Sequence, residues 1–473
     1  MDDIMQHNMS WKEQAERFMD FMSNAPTAYH ACDLLAQDFD AAGYKELYER
    51  DEWDLTTHNK FYVRRNGSAI MGFVIGENWT PGNGVGVVAT HTDALCGRVK
   101  PISIKQPVDG YNLLGVAPYS GAFSSVWWDR DLGIGGRLIV RDEASKSVTS
   151  KLVHVPYPIA RIPTLAPHFG APANPPFNPE TQMTPIIGLT SSKEVKAPTD
   201  EEKQSPMVGK HSIDLLRVLA KHARVPVKDI LQVELELFDT QDPVIGGLNH
   251  EFIFCPRVDD KLCTYTAVQG FIAAKHDDRA LNVVACYDNE EVGSGTRQGA
   301  QGDLFQCIVE RVVAHGMDSS VANQAAEYTR QTYANSFLVS ADVGHAVNPN
   351  FSDAYLEFHK PQLNYGMTLK VYPNAATTSD AVSMALIEEI ARRTDNKTQV
   401  MHTRNDTRAG GTLGKFLASA TGMRAVDAGI AQLSMHSIRG TLGSKDIALG
   451  TRFFRDFYSS WYEVDQEWKN GDI

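Results

Sequence analysis

Apolar residues recur along the chain at two spacings. Behind "SWKE" (10–13), Ala15, Phe18, Met19 and Met22 repeat at helical intervals. The Ser10 hydroxyl can accept from the Glu13 amide while Glu13 reaches back, which is a capping box. A second helix is predicted after Pro26, with Ala31, Leu34 and Leu35 on one face and Gly43 at its end. Short, almost wholly apolar runs follow: "GVGVVATH" (84–91), "NVVACYD" (282–288) and "SFLVSAD" (336–342) read as buried strands. "LCTYTAVQGFIAAKH" (262–276) and "SDAVSMALIEEIARR" (379–393) read as amphipathic helices. This alternation predicts an α/β protein with helices on both faces of a mixed central sheet.

Between residues 97 and 243 the pattern changes. "GRLIVRD" and "SVTSKLVHV" predict a hairpin, "SIDLLRVLAKHA" a helix, and "LQVELELFD" a strand with Leu231, Val233, Leu235 and Leu237 on one face. Eleven of the 22 prolines lie between 151 and 210, and the charged stretch "KEVKAPTDEEKQSP" (193–206) predicts a mobile loop. Residues 97–243 are therefore expected to form a β-rich domain inserted into an α/β domain built from 1–96 and 244–473.

The 473 residues suffice for two domains. A net charge of −13 removes the basic footprint that nucleic acid or an anionic membrane requires, so neither is expected as a partner. Six cysteines (Cys32, Cys96, Cys255, Cys263, Cys286, Cys307) form no C-x-x-C pair, and several sit in apolar runs, as reduced structural cysteines do. No signal peptide and no membrane-length apolar run is evident. A cytoplasmic protein is expected.

The candidate chemistry collects where the apolar strands stop. One ends in His91, one in the cluster Asp288–Glu291, one in Asp342. In an open α/β sheet, ligands bind beyond the carboxyl ends of the strands, so these side chains are expected along one rim. In "THTD", Asp93 falls on the same side as His91 and can accept its second ring N–H, fixing the tautomer and strengthening the other nitrogen as a ligand. "RVDD" (257–260) supplies Asp259, and "LSMHSIRG" supplies His436. Each has a plainer reading alone: a polar strand end, helix-capping aspartates, an Asx turn, a core histidine. Together, His91, Asp259, Glu291, Asp342 and His436 could hold two divalent cations, whose charge three carboxylates and a bridging hydroxide nearly neutralise. Nitrogen and oxygen donors without cysteine suit catalytic zinc, with Mn²⁺ or Co²⁺ as substitutes. The neighbouring carboxylates then divide the labour. Glu291 binds a cation, while Glu290 acts as general base on the bridging water, whose pKa the metals lower to ~7, and passes its proton to the leaving amine.

With these residues assembled, the chain closely resembles the M18 metallopeptidases, the aspartyl aminopeptidases. "HTD", "R-V-D", "YDNEEVGS", "SADVGHAVNPN", "RNDT" and "QLSMHSIR" occur in family order between about 91 and 439. The resemblance implies a zinc-peptidase fold of the phosphorylase/hydrolase-like kind and two Zn²⁺ per subunit. It implies that His91, Asp259 and Asp342 hold one ion and Asp259, Glu291 and His436 the other, with Asp259 as the bridge and Glu290 as the general base; Asp93, read from the H-x-D spacing, joins Glu290 as a catalytic candidate. It further implies removal of N-terminal aspartate or glutamate from peptides, and a tetrahedral dodecamer whose inserted domain mediates dimerisation. Lys370 in "GMTLKVY" matches a lysine that recognises the acidic side chain, and His345 a substrate-side histidine. His168 in "IPTLAPHF" resembles a histidine that reaches a neighbouring subunit's site. Some relatives are routed to a vacuole. Ala94-Leu95, Asp260, Asn348 and Arg408 depart from the family pattern, and the last two bear on the substrate pocket. The alternatives are the same metal site with neutral-residue aminopeptidase or deacylase specificity, and a non-catalytic assembly or cargo homologue.

Overall fold

The computed structural model describes residues 9–142, 144–191 and 196–468. Two amphipathic helices, Trp11–Asn24 and Ala28–Ala41, open the chain. The first carries the expected capping box: Ser10 Oγ accepts from the Glu13 amide, and Glu13 accepts from the Ser10 amide at 2.6 Å. The first packs against the helix Asp446–Asp465, and the second packs on a ten-stranded mixed sheet whose centre is parallel. Its middle runs Leu281–Tyr287, Val85–His91, Phe337–Ala341, Arg424–Gln432, and antiparallel strands flank this core.

Both faces of the sheet are covered. Val88, Val284 and Val339 point into one apolar layer, shared with the helices Val258–Ala273 and Asp446–Asp465. Val87, Val283 and Leu338 point into the other, shared with Leu304–His315 and Gly414–Thr421. Burial on both sides is why these strands read as continuous apolar runs rather than alternating ones. The packing is close: Trp461 donates from Nε1 to Asn282 Oδ1 at 2.8 Å, and a Cβ on Gly86 would lie 2.2 Å from that same nitrogen.

A second, six-stranded antiparallel sheet runs Val148–His154, Leu132–Arg141, Ile230–Asp239, Cys96–Ile104, Tyr111–Tyr119, Ile186–Leu189, with its own apolar cluster beneath the helix Ile213–Ala223. The strand Ile230–Asp239 departs from the expected alternation. Glu236, on the face opposite Leu231, Val233, Leu235 and Leu237, is buried, with Arg98 Nη2 3.6 Å away. Residues 196–206 of the charged stretch are also more ordered than its composition predicts. Residues 193–195 lie outside the described residues, but Glu202 accepts two hydrogen bonds from Arg217, and Ser205 is buried. A small sheet of Val244–Gly246, Phe252–Pro256 and Arg439–Gly443 completes the architecture.

Candidate functional site

Strand register sets the rim. Tyr287 pairs with His91, and Ser340 with Ala89 in the next parallel strand, so His91, the turn after Tyr287 and Asp342 emerge at one edge. The small sheet delivers the remaining two ligand candidates. Pro256 pairs with Arg439, which brings Asp259, three residues beyond the first, to His436, three residues before the second. The helix Val258–Ala273 does not begin on aspartate caps: Asp259 and Asp260 have non-helical dihedrals within its first turn, and its N-cap position is Arg257. Asn289, at φ +63°, turns the chain sharply before the one-turn helix Glu290–Val292. Asparagine tolerates this left-handed conformation better than most residues. The turn directs the two glutamates to different partners.

The five ligand candidates converge. The two Asp259 oxygens face two histidines: Oδ1 is 3.3 Å from His91 Nε2, and Oδ2 is 3.2 Å from His436 Nε2. Glu291 Oε2 lies 3.7 Å from His436 Nε2, and Glu290 Oε2 lies 3.9 Å from His91 Nε2. Donor atoms of His91, Asp259 and Glu291 all fall within 4.8 Å of one another, as do those of Asp259, Asp260 and Asp342. Asp93 sits behind His91 as the H-x-D spacing predicts, 3.2 Å from Nδ1, and also accepts the amides of Glu290 and Glu291.

The electrostatics call for positive charge. Burial pushes Glu290 up to about 7 and Glu291 up to about 10, the latter helped by Asp259. Asp342 is raised by burial despite the Lys370 ammonium nearby. Asp259 and Asp93 run the other way: burial is outweighed by His436 and His91 at the first, and chiefly by His91 at the second. Glu291 Oε1 is a buried oxygen with no hydrogen-bond partner, and Asp259 Oδ1 faces His91 Nε2 at 3.3 Å without hydrogen-bond geometry. Three carboxylates and two imidazoles, with two oxygens unsatisfied and no thiolate among them, fit a pair of divalent cations.

The candidate substrate residues separate. Lys370 and His345 line the same cleft of about 420 Å³ as Glu290, Glu291 and Asp342. Lys370 is buried rather than solvated, its Nζ 3.8 Å from Asp342 Oδ1. His168 stays apart, exposed on the turn Pro167–Phe169 and absent from the cleft walls.

Sequence reasoning passed over two kinds of residue. Asp260 reads in sequence as a helix cap or as a departure from the family pattern, yet its carboxylate accepts the amides of His91 (3.4 Å) and Val343 (3.1 Å), tying together the ends of two strands. Tyr119 and Ser120 come from the six-stranded sheet and reach Asp93 and Glu291 respectively. No local motif marks them, because their role depends on how the two sheets dock.

The chain matches the family described as Aminopeptidase I zinc metalloprotease (M18) over residues 21–458. It is 44% identical to vacuolar aminopeptidase 1 of Saccharomyces cerevisiae, over 98% of this chain and 91% of that protein. It is 35% identical to the aspartyl aminopeptidase of Aspergillus oryzae, over 95% and 96% of the two chains. The solved S. cerevisiae mApe1 dodecamer superposes with a TM-score of 0.86 at 40% identity, covering 97% of this chain and 99% of that one.

Proposed function

The chain belongs to the M18 family of zinc metallo-aminopeptidases, and on that premise we propose that it removes N-terminal acidic residues from peptides at a two-zinc centre. The observation that carries this reading is Asp259, whose two carboxylate oxygens each meet a different histidine, as a ligand shared by two ions would. His91, Asp259 and Asp342 would hold one ion and Asp259, Glu291 and His436 the other. Bound zinc supplies Lewis acidity, lowering the pKa of water to ~7 and polarising the scissile carbonyl.

The rest of the work falls to the chain's own groups. Glu290 lies beside the proposed ligands, with its amide on Asp93 and its carboxylate facing the cleft, where it can take a proton from water and return it to the leaving amine. Asp93 orients His91 through Nδ1. The Lys370 ammonium, shielded from bulk water, would pair with the acidic side chain, and His345 would line the same cleft. His168 would act across a subunit contact, within a dodecamer built from dimers through the inserted sheet.

A second reading has specific support. Lys370 already lies 3.8 Å from Asp342, and Tyr372, Met401 and Met435 line the same cleft, which would suit a neutral side chain. A panel of N-terminal residue substrates separates the two. Under the acidic reading, Lys370→Leu loses the preference for aspartate over leucine while retaining turnover of leucine substrates. An unchanged preference would favour the neutral reading. The unpaired cysteines, five of the six buried, agree with a reducing cytoplasm, and among the described residues no helix is long and apolar enough to cross a membrane. The vacuolar relative makes the vacuole the alternative location, which cell fractionation would decide.

A further inference from the structure

We propose that Tyr119, at the end of the strand Tyr111–Tyr119 in the six-stranded sheet, is a positioning residue for the metal centre: its phenol couples that sheet to the carboxylate that aligns His91, Glu290 and Glu291. Tyr119 donates from its hydroxyl to Asp93 Oδ2 at 2.7 Å, the shortest of the contacts to that carboxylate. The others are 3.2 Å each: His91 Nδ1, the Glu290 amide and the Glu291 amide. Asp93 thus gathers a candidate ligand and the backbone of the Glu-Glu turn onto one buried group. The phenol oxygen also accepts from Asn289 Nδ2 at 2.9 Å, and Asn289 is the left-handed residue that aims the turn.

Tyr119 is itself held from its own sheet. It is buried, and the Arg98 guanidinium lies 3.9 Å above its ring centroid. Arg98 is in turn anchored by the buried Glu236. The position of the Tyr119 hydroxyl therefore bears on both the imidazole, through Asp93, and the turn, through Asn289. Residues behind metal-binding histidines usually influence affinity by about 10–100-fold, and Tyr119 stands one hydrogen bond further back while touching Asn289 as well.

The inference rests on the reading of the site as a metal centre, and its test keeps the two apart. Zinc affinity is measured by competition with a chelator for the wild type, Tyr119→Phe and Leu114→Ala. Leu114 is buried on the same strand and serves as a control for loosening the sheet without touching Asp93. The expected result is zinc affinity about tenfold weaker or worse in Tyr119→Phe, with kcat reduced at saturating zinc and KM unchanged, while Leu114→Ala melts earlier but binds zinc like the wild type. Tyr119→Phe within twofold of wild-type affinity, or Leu114→Ala losing as much affinity as Tyr119→Phe, would overturn it. A wild type that binds no zinc would instead sink the metal-centre reading itself.

Discussion

Glu290 and Glu291 are neighbours whose carboxylates have different surroundings. Glu291 lies close to His436 and Asp259, whereas Glu290 faces His91 and the cleft. Glu290→Gln is accordingly expected to keep its zinc while turnover falls roughly 10²–10⁴-fold, the usual range for losing a general acid–base group. Full activity in that variant would remove Glu290 from the proton path. A pH effect follows from the same crowding. Carboxylates whose folded pKa is raised stabilise the protein fully at low pH, and that contribution fades as pH climbs through the folded value. For Glu290 and Glu291 the loss extends from the ordinary carboxylate range up to about 7 and about 10. The raised His91 shifts stability in the same direction. Chelator-stripped protein should therefore lose stability relative to the zinc-loaded form as pH rises from 5 to 8, read as the difference between their melting temperatures. A difference independent of pH would contradict this.

At the scale of elements, the site depends on strands of unequal sequence span meeting in register. The apolar runs ending at His91, Asp288 and Asp342 were legible because strands buried on both faces must be almost wholly apolar, and their ends are then conspicuous. The partnership of Asp259 with His436 was not legible locally, since it depends on Pro256 pairing with Arg439 across nearly two hundred residues. The backbone partners of Asp260, His91 and Val343, are likewise remote in the chain, so its sequence neighbourhood does not reveal its role. Gly429 shows how tight the arrangement is: a Cβ there would lie 1.7 Å from the Asp342 carbonyl oxygen. Gly429→Ala must displace the strand end that carries Asp342. We expect a stability loss of about 1–3 kcal/mol, typical of overpacking, together with weaker zinc binding; denaturant melts and zinc titration would show both. Unchanged zinc affinity would mean that Asp342 can move without consequence.

Over the whole molecule, the mixed α/β sheet was readable from periodicity, and the change of pattern near residue 97 reflects the second sheet. The buried Glu236 was not readable, because an alternating strand says nothing of which charged residues a neighbouring layer will cover. The second sheet supplies Tyr119 and Ser120 to the centre and exposes Ile102, Ile104 and Val148, apolar side chains that a subunit contact would cover. Light scattering should give about twelve times the 52.3 kDa chain mass if the proposed dodecamer forms; a monomer would leave His168 without a neighbouring site. The central claim is that scattered side chains enclose two ions that share Asp259, and the direct measurement is zinc content per chain after dialysis against limiting zinc. Two ions in the wild type and loss from both positions in Asp259→Ala are predicted. An Asp259→Ala protein that kept two zinc ions, or a folded wild type that held none, would contradict the account.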